Sequence, residues 1–219
     1  MCSVGHPPPV TEYLTASEVG ERLDVSRETL ERLERYVDLL LKWQRAINLI
    51  GPKTTQDIWS RHILDSGQLM AHLPETSGPV VDLGSGAGLP GMVLAIMGLP
   101  HVSLIEADAR KCVFLREAAR HTETRVEIVN SRIEAAKIDP ATVVLARAVA
   151  PLSRLLDLAQ SVSKLNTVYF FLKGKDFKNE LTDIENNWNM TLDVIPSRSS
   201  AEGVILKMES LNRADTADD

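Results

Sequence analysis

The sequence predicts a doubly wound α/β fold, a mostly parallel sheet with helices on both faces, preceded by a helical N-terminal cap. Three observations predict it. Apolar residues recur at helical spacing through about residue 73. From Pro79 short β-branched runs alternate with helical stretches, the pattern of βαβ units. A glycine-rich turn directly follows the first of those runs. On this reading the chain divides into a disordered proline-rich start at 1–10, the cap at 11–75, an α/β domain at 76–210 and a disordered acidic tail at 211–219.

In the cap, Thr15-Ala16-Ser17-Glu18 reads as a capping box that opens a short helix. Ser26 then N-caps a longer one, in which Leu30, Leu33, Val37, Leu40, Leu41 and Ile47 share a face. Glu31, Arg32, Glu34, Arg35, Asp38 and Lys42 take the other face, and Gly51-Pro52 is the expected stop. A third helix runs from about 55 to 73 and ends before Pro74. Strands are predicted at 80–83, 102–106, 126–129, 143–147 and 167–172. Helices are predicted at 90–97, 111–121, 132–136 and 152–164. A helical stretch at 176–187 leads to two strands, 191–195 and 203–208, whose close spacing implies an antiparallel pair at the sheet edge.

Composition narrows the class. The chain has 219 residues, of which 44% are hydrophobic and 25% charged, enough to bury a substantial core. Apolar runs such as 143–146 and 168–172 are strand-length, far short of a membrane span. The N-terminus has neither the basic start nor the apolar run of a secretory signal, which predicts a cytoplasmic protein. Two cysteines, Cys2 and Cys112, are too few for a disulfide framework or a zinc site, and the histidines lack ligand spacing, so no metal is expected. The net charge of −6 speaks against coating nucleic acid through bulk electrostatics. Cations nevertheless gather between Arg110 and Arg132, at Arg147 and Arg154, and at Lys173, Lys175 and Lys178. A basic face on an acidic protein and a scattered solvated surface both remain open on charge alone.

The chemistry begins at Asp82-x-Gly84-x-Gly86-x-Gly88, between a buried-looking strand and a helix whose first turn holds Pro90. Without side chains the loop can turn sharply and let a ligand lie on its backbone, at the strand ends where open α/β sheets bind ligands. Glu106 ends the next strand, 22 residues after Gly84, where a carboxylate can accept bonds from both hydroxyls of an adenosine ribose. Nicotinamide cofactors use a G-x-G-x-x-G loop with an anionic pyrophosphate on the helix N-terminus. Here the spacing differs and an acid sits at the strand end. Such an acid repels pyrophosphate and attracts the sulfonium and ammonium of S-adenosylmethionine. The expected cofactor is therefore S-adenosylmethionine, with S-adenosylhomocysteine as product, on a Rossmann-like class I methyltransferase domain.

Neither an Asn/Asp/Ser-Pro-Pro-aromatic run nor a cysteine nucleophile after proline is present; Cys112 lies within a predicted helix. An enzyme without nucleophile or strong base suits an acceptor that owns a lone pair, such as guanine N7. At the end of the fourth strand, Arg147 faces the cleft, where it can meet cofactor or phosphate. Lys173-Gly174 ends the fifth strand and reads either as an anchor for RNA backbone or as a surface turn. Three other readings stand beside this one: the same fold acting on a protein or small molecule, a non-catalytic adenosine-ligand module, and a dehydrogenase.

Trp43 with Asn48-Leu49, the run Arg61-His62-Ile63-Leu64-Asp65-Ser66, the loop from Asp82 to Gly91, Ser131-Arg132-Ile133-Glu134, Ala146-Arg147-Ala148 and Leu172-Lys173-Gly174 together carry a resemblance. On these marks the sequence resembles the bacterial small-subunit ribosomal RNA guanine-N7 methyltransferases, the glucose-inhibited division protein B family, over about residues 26–208. The resemblance implies methylation of one guanine in 16S rRNA, position 527 in the usual RNA numbering, in the cytoplasm; free RNA and the small ribosomal subunit both stand open as substrate, and a monomer is expected. It also carries cofactor contacts onto Gly84, Leu89, Ile133, Glu134 and Arg147, beside Asp82, Gly86, Gly88 and Glu106 from the loop argument. Arg147 and Lys173 become positioning candidates, and Arg61, His62, Arg110, Lys111 and Lys173 candidates for RNA contact. Arg61 and Asp65 can alternatively pair across one helical turn, and Trp43 and Leu49 read as core.

Overall fold

A computed structural model describes residues 13–75 and 78–214; the expected disordered start and the boundary at 75/76 fall at or beyond the limits of these residues. The capping box forms as predicted. Thr15 Oγ1 accepts from the Glu18 N–H at 3.3 Å and Glu18 Oε2 from the Thr15 N–H at 2.8 Å, opening α1 (Ala16–Leu23). Ser26 caps α2 (Arg27–Gln44) through the Thr29 N–H. That helix stops at Gln44, well before Gly51, because the Gln44 side chain takes over the following backbone. Its Oε1 accepts from Leu49 and Ile50 N–H at 2.8 and 3.0 Å and its Nε2 donates to Ile50 O at 2.9 Å. Ile47 therefore reaches the core from a loop.

The third predicted helix is a composite. A 3₁₀ turn (Pro52–Asp57) leads to a π-helical turn (Trp59–Leu64), a short α3 (Asp65–Gly67) and a second 3₁₀ turn (Gln68–Ala71). The π turn buries three consecutive residues, His62, Ile63 and Leu64, whereas a regular surface helix buries one stripe.

The sheet has seven strands in the order β3-β2-β1-β4-β5-β7-β6: β1 (Val80–Leu83), β2 (Val102–Glu106), β3 (Glu127–Asn130), β4 (Ala141–Arg147), β5 (Ser163–Lys173), β6 (Trp188–Pro196) and β7 (Val204–Arg213). The first five are parallel; β7 runs antiparallel between β5 and β6. An all-parallel dinucleotide sheet of order 3-2-1-4-5-6 has no such inserted strand. The helices of the crossovers are α4 (Gly91–Ile96), α5 (Ala109–His121), α6 (Leu152–Gln160) and α7 (Phe177–Thr182).

Several boundaries move for local reasons. Pro90, preceded by a cis peptide bond, is the N-cap of α4, which places it just before the first turn. The helix expected at 132–136 is one 3₁₀ turn (Ile133–Ala135). Ser161 and Ser163 hydroxyls donate to Leu158 O and Ala159 O, ending α6 early and starting β5 at Ser163. The stretch 176–187 is helical only at Phe177–Thr182. Of the tail expected from 211, residues 211–213 belong to β7, with the Arg213 guanidinium over the Trp188 ring at 4.3 Å, and 215–219 lie outside the described residues.

Alternate strand residues feed two apolar layers. On one face Val80, Leu104, Val143, Leu145 and Phe170 pack with Leu33, Tyr36, Leu40, Ile63, Met92 and Phe114, so the N-terminal helices share a core with α4 and α5. On the other, Val81, Leu83, Val144 and Phe171 pack with Leu152, Leu155, Leu156 and Ile184.

Candidate active site

The strand order reverses between β2 and β4, on either side of β1, and a cleft of about 940 Å³ opens at the carboxyl ends of the strands there. Gly84 to Ala87 and Leu89 form one wall. Ala148 to Pro151, Leu172 to Gly174 and Glu180 form a second. Leu49 to Gly51, Thr54, Arg61, His62 and Asp65 bring in the N-terminal segment, and Lys111 and the 199–203 turn complete the rim.

Gly86 has φ +58°, and a Cβ built there would meet only Gly84 O at 3.8 Å, so its face is open to a ligand lying on the backbone. Its N–H donates to Glu106 Oε2 at 2.9 Å, while Glu106 Oε1 accepts from the Asp108 N–H at 2.7 Å. The β2 carboxylate is thereby fixed beside the loop, with lone pairs left for further donors. Gly91 is needed for a different reason: a Cβ there would lie 2.5 Å from Leu104 Cδ2 and 2.8 Å from Asp82 Oδ2.

Asp82 is fully buried behind the loop, not exposed in the cleft. Its Oδ2 accepts from the Gly91 N–H at 3.0 Å, and among the described residues its Oδ1 has no partner. Burial pushes its carboxyl up to about 7, opposed by the Gly91 N–H and the more distant Arg147 charge. The helix N-terminal amide that a pyrophosphate would take is already filled by the Asp82 carboxyl. A buried carboxylate with a spare oxygen suits a cationic ligand, so the residues fit S-adenosylmethionine and disfavour a dinucleotide.

Arg147, at the end of β4, reaches across to the π turn. Its Nη1 donates to Arg61 O at 3.0 Å and lies 3.4 Å from Asp65 Oδ2; its Nη2 lies 2.8 Å from His62 Nδ1. Asp65 thus pairs with Arg147, not with Arg61 one turn away, and its Oδ1 also accepts from the Ser199 and Ser197 hydroxyls. His62 is buried, and burial together with the Arg147 and Arg61 charges lowers its ring to about 3. The ring is neutral and both its nitrogens are engaged, Nε2 against Thr54 Oγ1 at 2.7 Å and Nδ1 against Arg147, so the expected RNA-contact candidate sits within the protein's own hydrogen-bond network.

Lys173 is likewise tied. Its Nζ donates to Ala150 O at 3.0 Å and to Glu180 Oε2 at 2.6 Å, and that same oxygen accepts from the Leu152 N–H. Lys173, expected either as an anchor for RNA backbone or as part of a surface turn, is thus held against the 148–151 wall. Arg61 is exposed on the rim, with Lys111 half-buried beside the cleft, while Arg110 pairs with Asp108 on the surface. Ile133 and Glu134 lie outside the cleft lining, and the Glu134 carboxylate meets Arg154. Their turn hangs from the end of β2, where Ser131 N–H and Asn130 Nδ2 both donate to Glu106 O. Gly88 turns inward, toward Met92. The Cys112 thiol is buried and faces Glu106 O, no position for a nucleophile. Trp43 packs edge-on against Phe114, as expected of core, whereas Leu49 is buried and also lines the cleft.

Sequence reading missed Tyr36, Thr54, Asp65 and Glu180 as site residues. The fully buried Tyr36 hydroxyl donates to Ala87 O at 2.6 Å and pins the glycine loop to α2. A hydroxyl among the apolar residues of a helix stripe was the visible signal.

Residues 29–202 match the family model described as GidB, rRNA small subunit methyltransferase G. The ribosomal RNA small subunit methyltransferase G of Paramagnetospirillum magneticum is 51% identical over 196 residues, 90% of this chain and 96% of that one. The protein of the same name from Rhodospirillum rubrum is 48% identical over 201 residues, 92% and 100% of the two chains. A solved structure from Listeria monocytogenes, described as a class I S-adenosylmethionine-dependent methyltransferase, aligns with a TM-score of 0.53 at 15% identity, over 90% of this chain and 72% of that one. The fold is that of the class I methyltransferases, and the chain belongs to the GidB family, the rRNA small subunit methyltransferases G.

Proposed function

We propose that this protein transfers the methyl group of S-adenosylmethionine to N7 of a guanine in 16S rRNA, position 527 in the usual RNA numbering, as a cytoplasmic monomer. The observation that carries the acceptor atom is the absence of a free base or nucleophile among the described residues of the cleft. His62 is neutral with both nitrogens engaged, Asp65 is bound to Arg147 and two serines, Glu180 is bound to Lys173, and the Cys112 thiol is buried. Guanine N7 brings its own lone pair, so no proton has to be removed and alignment is the protein's task. When bound, S-adenosylmethionine supplies an electrophilic methyl on a sulfonium and leaves as the neutral thioether S-adenosylhomocysteine.

In this reading the loop from Gly84 to Leu89 lies along the methionine end, backed by Asp82, Gly88 and the Gly91 amide. Glu106 accepts from the ribose hydroxyls, with Ile133 and Glu134 near the adenine on the turn that hangs from β2. Arg147 and Lys173 set the walls that position the base. Arg61 and Lys111 on the rim, with Arg110 on the neighbouring surface, meet RNA phosphates, where cations add affinity without reading sequence. The test is tritiated methyl transfer to 16S rRNA and to small subunits from cells lacking the modification, with nucleoside analysis of the product. N7-methylguanine at a single site is the expected result; methyl transfer to any other atom, or none to either substrate, refutes the assignment.

A further inference from the structure

The relay from Gly51 to Arg147 is over-determined. Arg147 Nη2 can only donate, so His62 Nδ1 facing it at 2.8 Å must carry a lone pair. At the other nitrogen, the Thr54 hydroxyl donates to Gly51 O at 2.7 Å, so its oxygen accepts and His62 Nε2, 2.7 Å away, must carry the proton. Two independent ends demand the same neutral tautomer, and the ring is buried on the π turn that presents it.

The chemistry of guanine gives this lock a purpose. An unrestrained arginine pairs with guanine through O6 and N7 together. In an enzyme that methylates N7, that pairing would occupy the lone pair that must attack the methyl group. Arg147 lines the same cleft and its guanidinium is partly exposed, so something must keep its donors away from N7. Arg61 O and Asp65 hold Nη1, and His62 holds Nη2.

We infer that His62 is a positioning residue whose Nδ1 lone pair, fixed by Thr54, holds the Arg147 guanidinium off guanine N7. The inference rests on the proposed N7 chemistry for its purpose; the tautomer and the restraint stand apart from it. His62 itself touches neither base nor cofactor. Its role is to accept one hydrogen bond.

Two substitutions separate that role from packing. His62→Asn keeps an acceptor close to the Nδ1 position and loses the ring; His62→Phe keeps the ring and loses the acceptor. With 16S rRNA as substrate, H62F is expected to lower kcat about tenfold or more while RNA KM stays level or falls, because the released Nη2 edge binds guanine unproductively. H62N is expected within about threefold of wild-type kcat. A residue that only fills space gives the reverse order, and H62F raising KM at unchanged kcat also overturns the inference. Calorimetric binding of S-adenosylmethionine checks that each variant is folded. Independently of turnover, the imidazole nitrogen shifts of His62 in the wild-type protein are expected to show the Nε2–H tautomer; an Nδ1–H ring overturns the inference even if both variants unfold. If the wild type methylates no N7 while His62 shows Nε2–H, the acceptor assignment fails and the relay geometry survives, so the two failures are distinguishable.

Discussion

Asp82→Asn tests the reading of the buried acid. Asparagine has the same shape, keeps an oxygen for the Gly91 N–H, and cannot ionise. In the wild type, burial raises the Asp82 carboxyl from an ordinary 3.8 to about 7. Between those values the folded protein keeps a proton that the unfolded chain has already released. The stabilisation from this group is therefore fully present below about pH 4 and is lost as pH rises through 7, at about 1.4 kcal/mol per unit. From pH 5 to pH 8 the wild type loses about 2–3 kcal/mol through this one site, and D82N loses none of it. Other groups that titrate in this range do so in both proteins and cancel in the comparison, as does any fixed cost of the asparagine amide. Urea unfolding followed by circular dichroism, at pH 5 and pH 8 on both proteins, reads the difference directly. D82N is expected to gain about 2–3 kcal/mol on the wild type over that interval. Stability curves that stay parallel would refute a protonated, desolvated Asp82. A cationic ligand should favour the ionised form. S-adenosylmethionine affinity is thus expected to rise with pH through 7 in the wild type and to be flatter, and on the order of tenfold weaker above pH 7, in D82N.

Tyr36→Phe removes the hydroxyl that holds Ala87 O and leaves that carbonyl buried without its donor; a loss of about 1–3 kcal/mol in urea unfolding is expected, with weaker cofactor binding by calorimetry because the loop is freed. Gly91→Ala drives a methyl against Leu104 and the Asp82 carboxylate, and about 1–3 kcal/mol of destabilisation is expected in thermal melts, with impaired S-adenosylmethionine binding. Arg61→Gln, on the rim, is expected to raise RNA KM several-fold at nearly constant kcat and to reduce the salt dependence of RNA binding by about one unit of slope, measured by filter binding over a salt series.

What was legible in the sequence was local. The strand, glycine turn and helix from Val80 to Ile96 follow one another without a gap, so their chemistry could be read before any contact was known. The antiparallel pair β6 and β7 was likewise visible in two closely spaced runs, although not that β7 would insert beside β5. The third cap helix failed because its backbone answers to tertiary burial: three adjacent residues had to face inward, which no helical periodicity encodes. In the sequence Lys173 and His62 read as candidates for RNA contact because their partners are distant or subtle. Glu180 caps the α6 amide of Leu152 and pairs with Lys173 in the same oxygen, and Arg147 lies 85 residues beyond His62. Asp82 was recognised as the acid that selects a cationic cofactor, but its place behind the loop depends on Gly91 admitting the helix backbone against it.

These long-range contacts give the helical cap a part in the chemistry. Tyr36 fixes the glycine loop, the π turn fixes Arg147, and Gln68 and Asp65 fix the turn between β6 and β7 through Arg198 N–H, Ser197 and Ser199. The cations of the cleft then fall into two groups. Arg147 and Lys173 are each paired with a carboxylate and engaged with backbone, so their net charge toward a ligand is small and their geometry is fixed. Arg61 and Lys111 lie on the rim, where the proposed function has them meet the phosphates. A methyl transfer that carries a positive charge from sulfonium to guanine is hindered by unbalanced cations on the cleft floor and helped by those at its edge, where they hold the RNA. On the proposed function an overall negative protein acts on RNA by drawing affinity from the rim and alignment from neutralised groups beneath it.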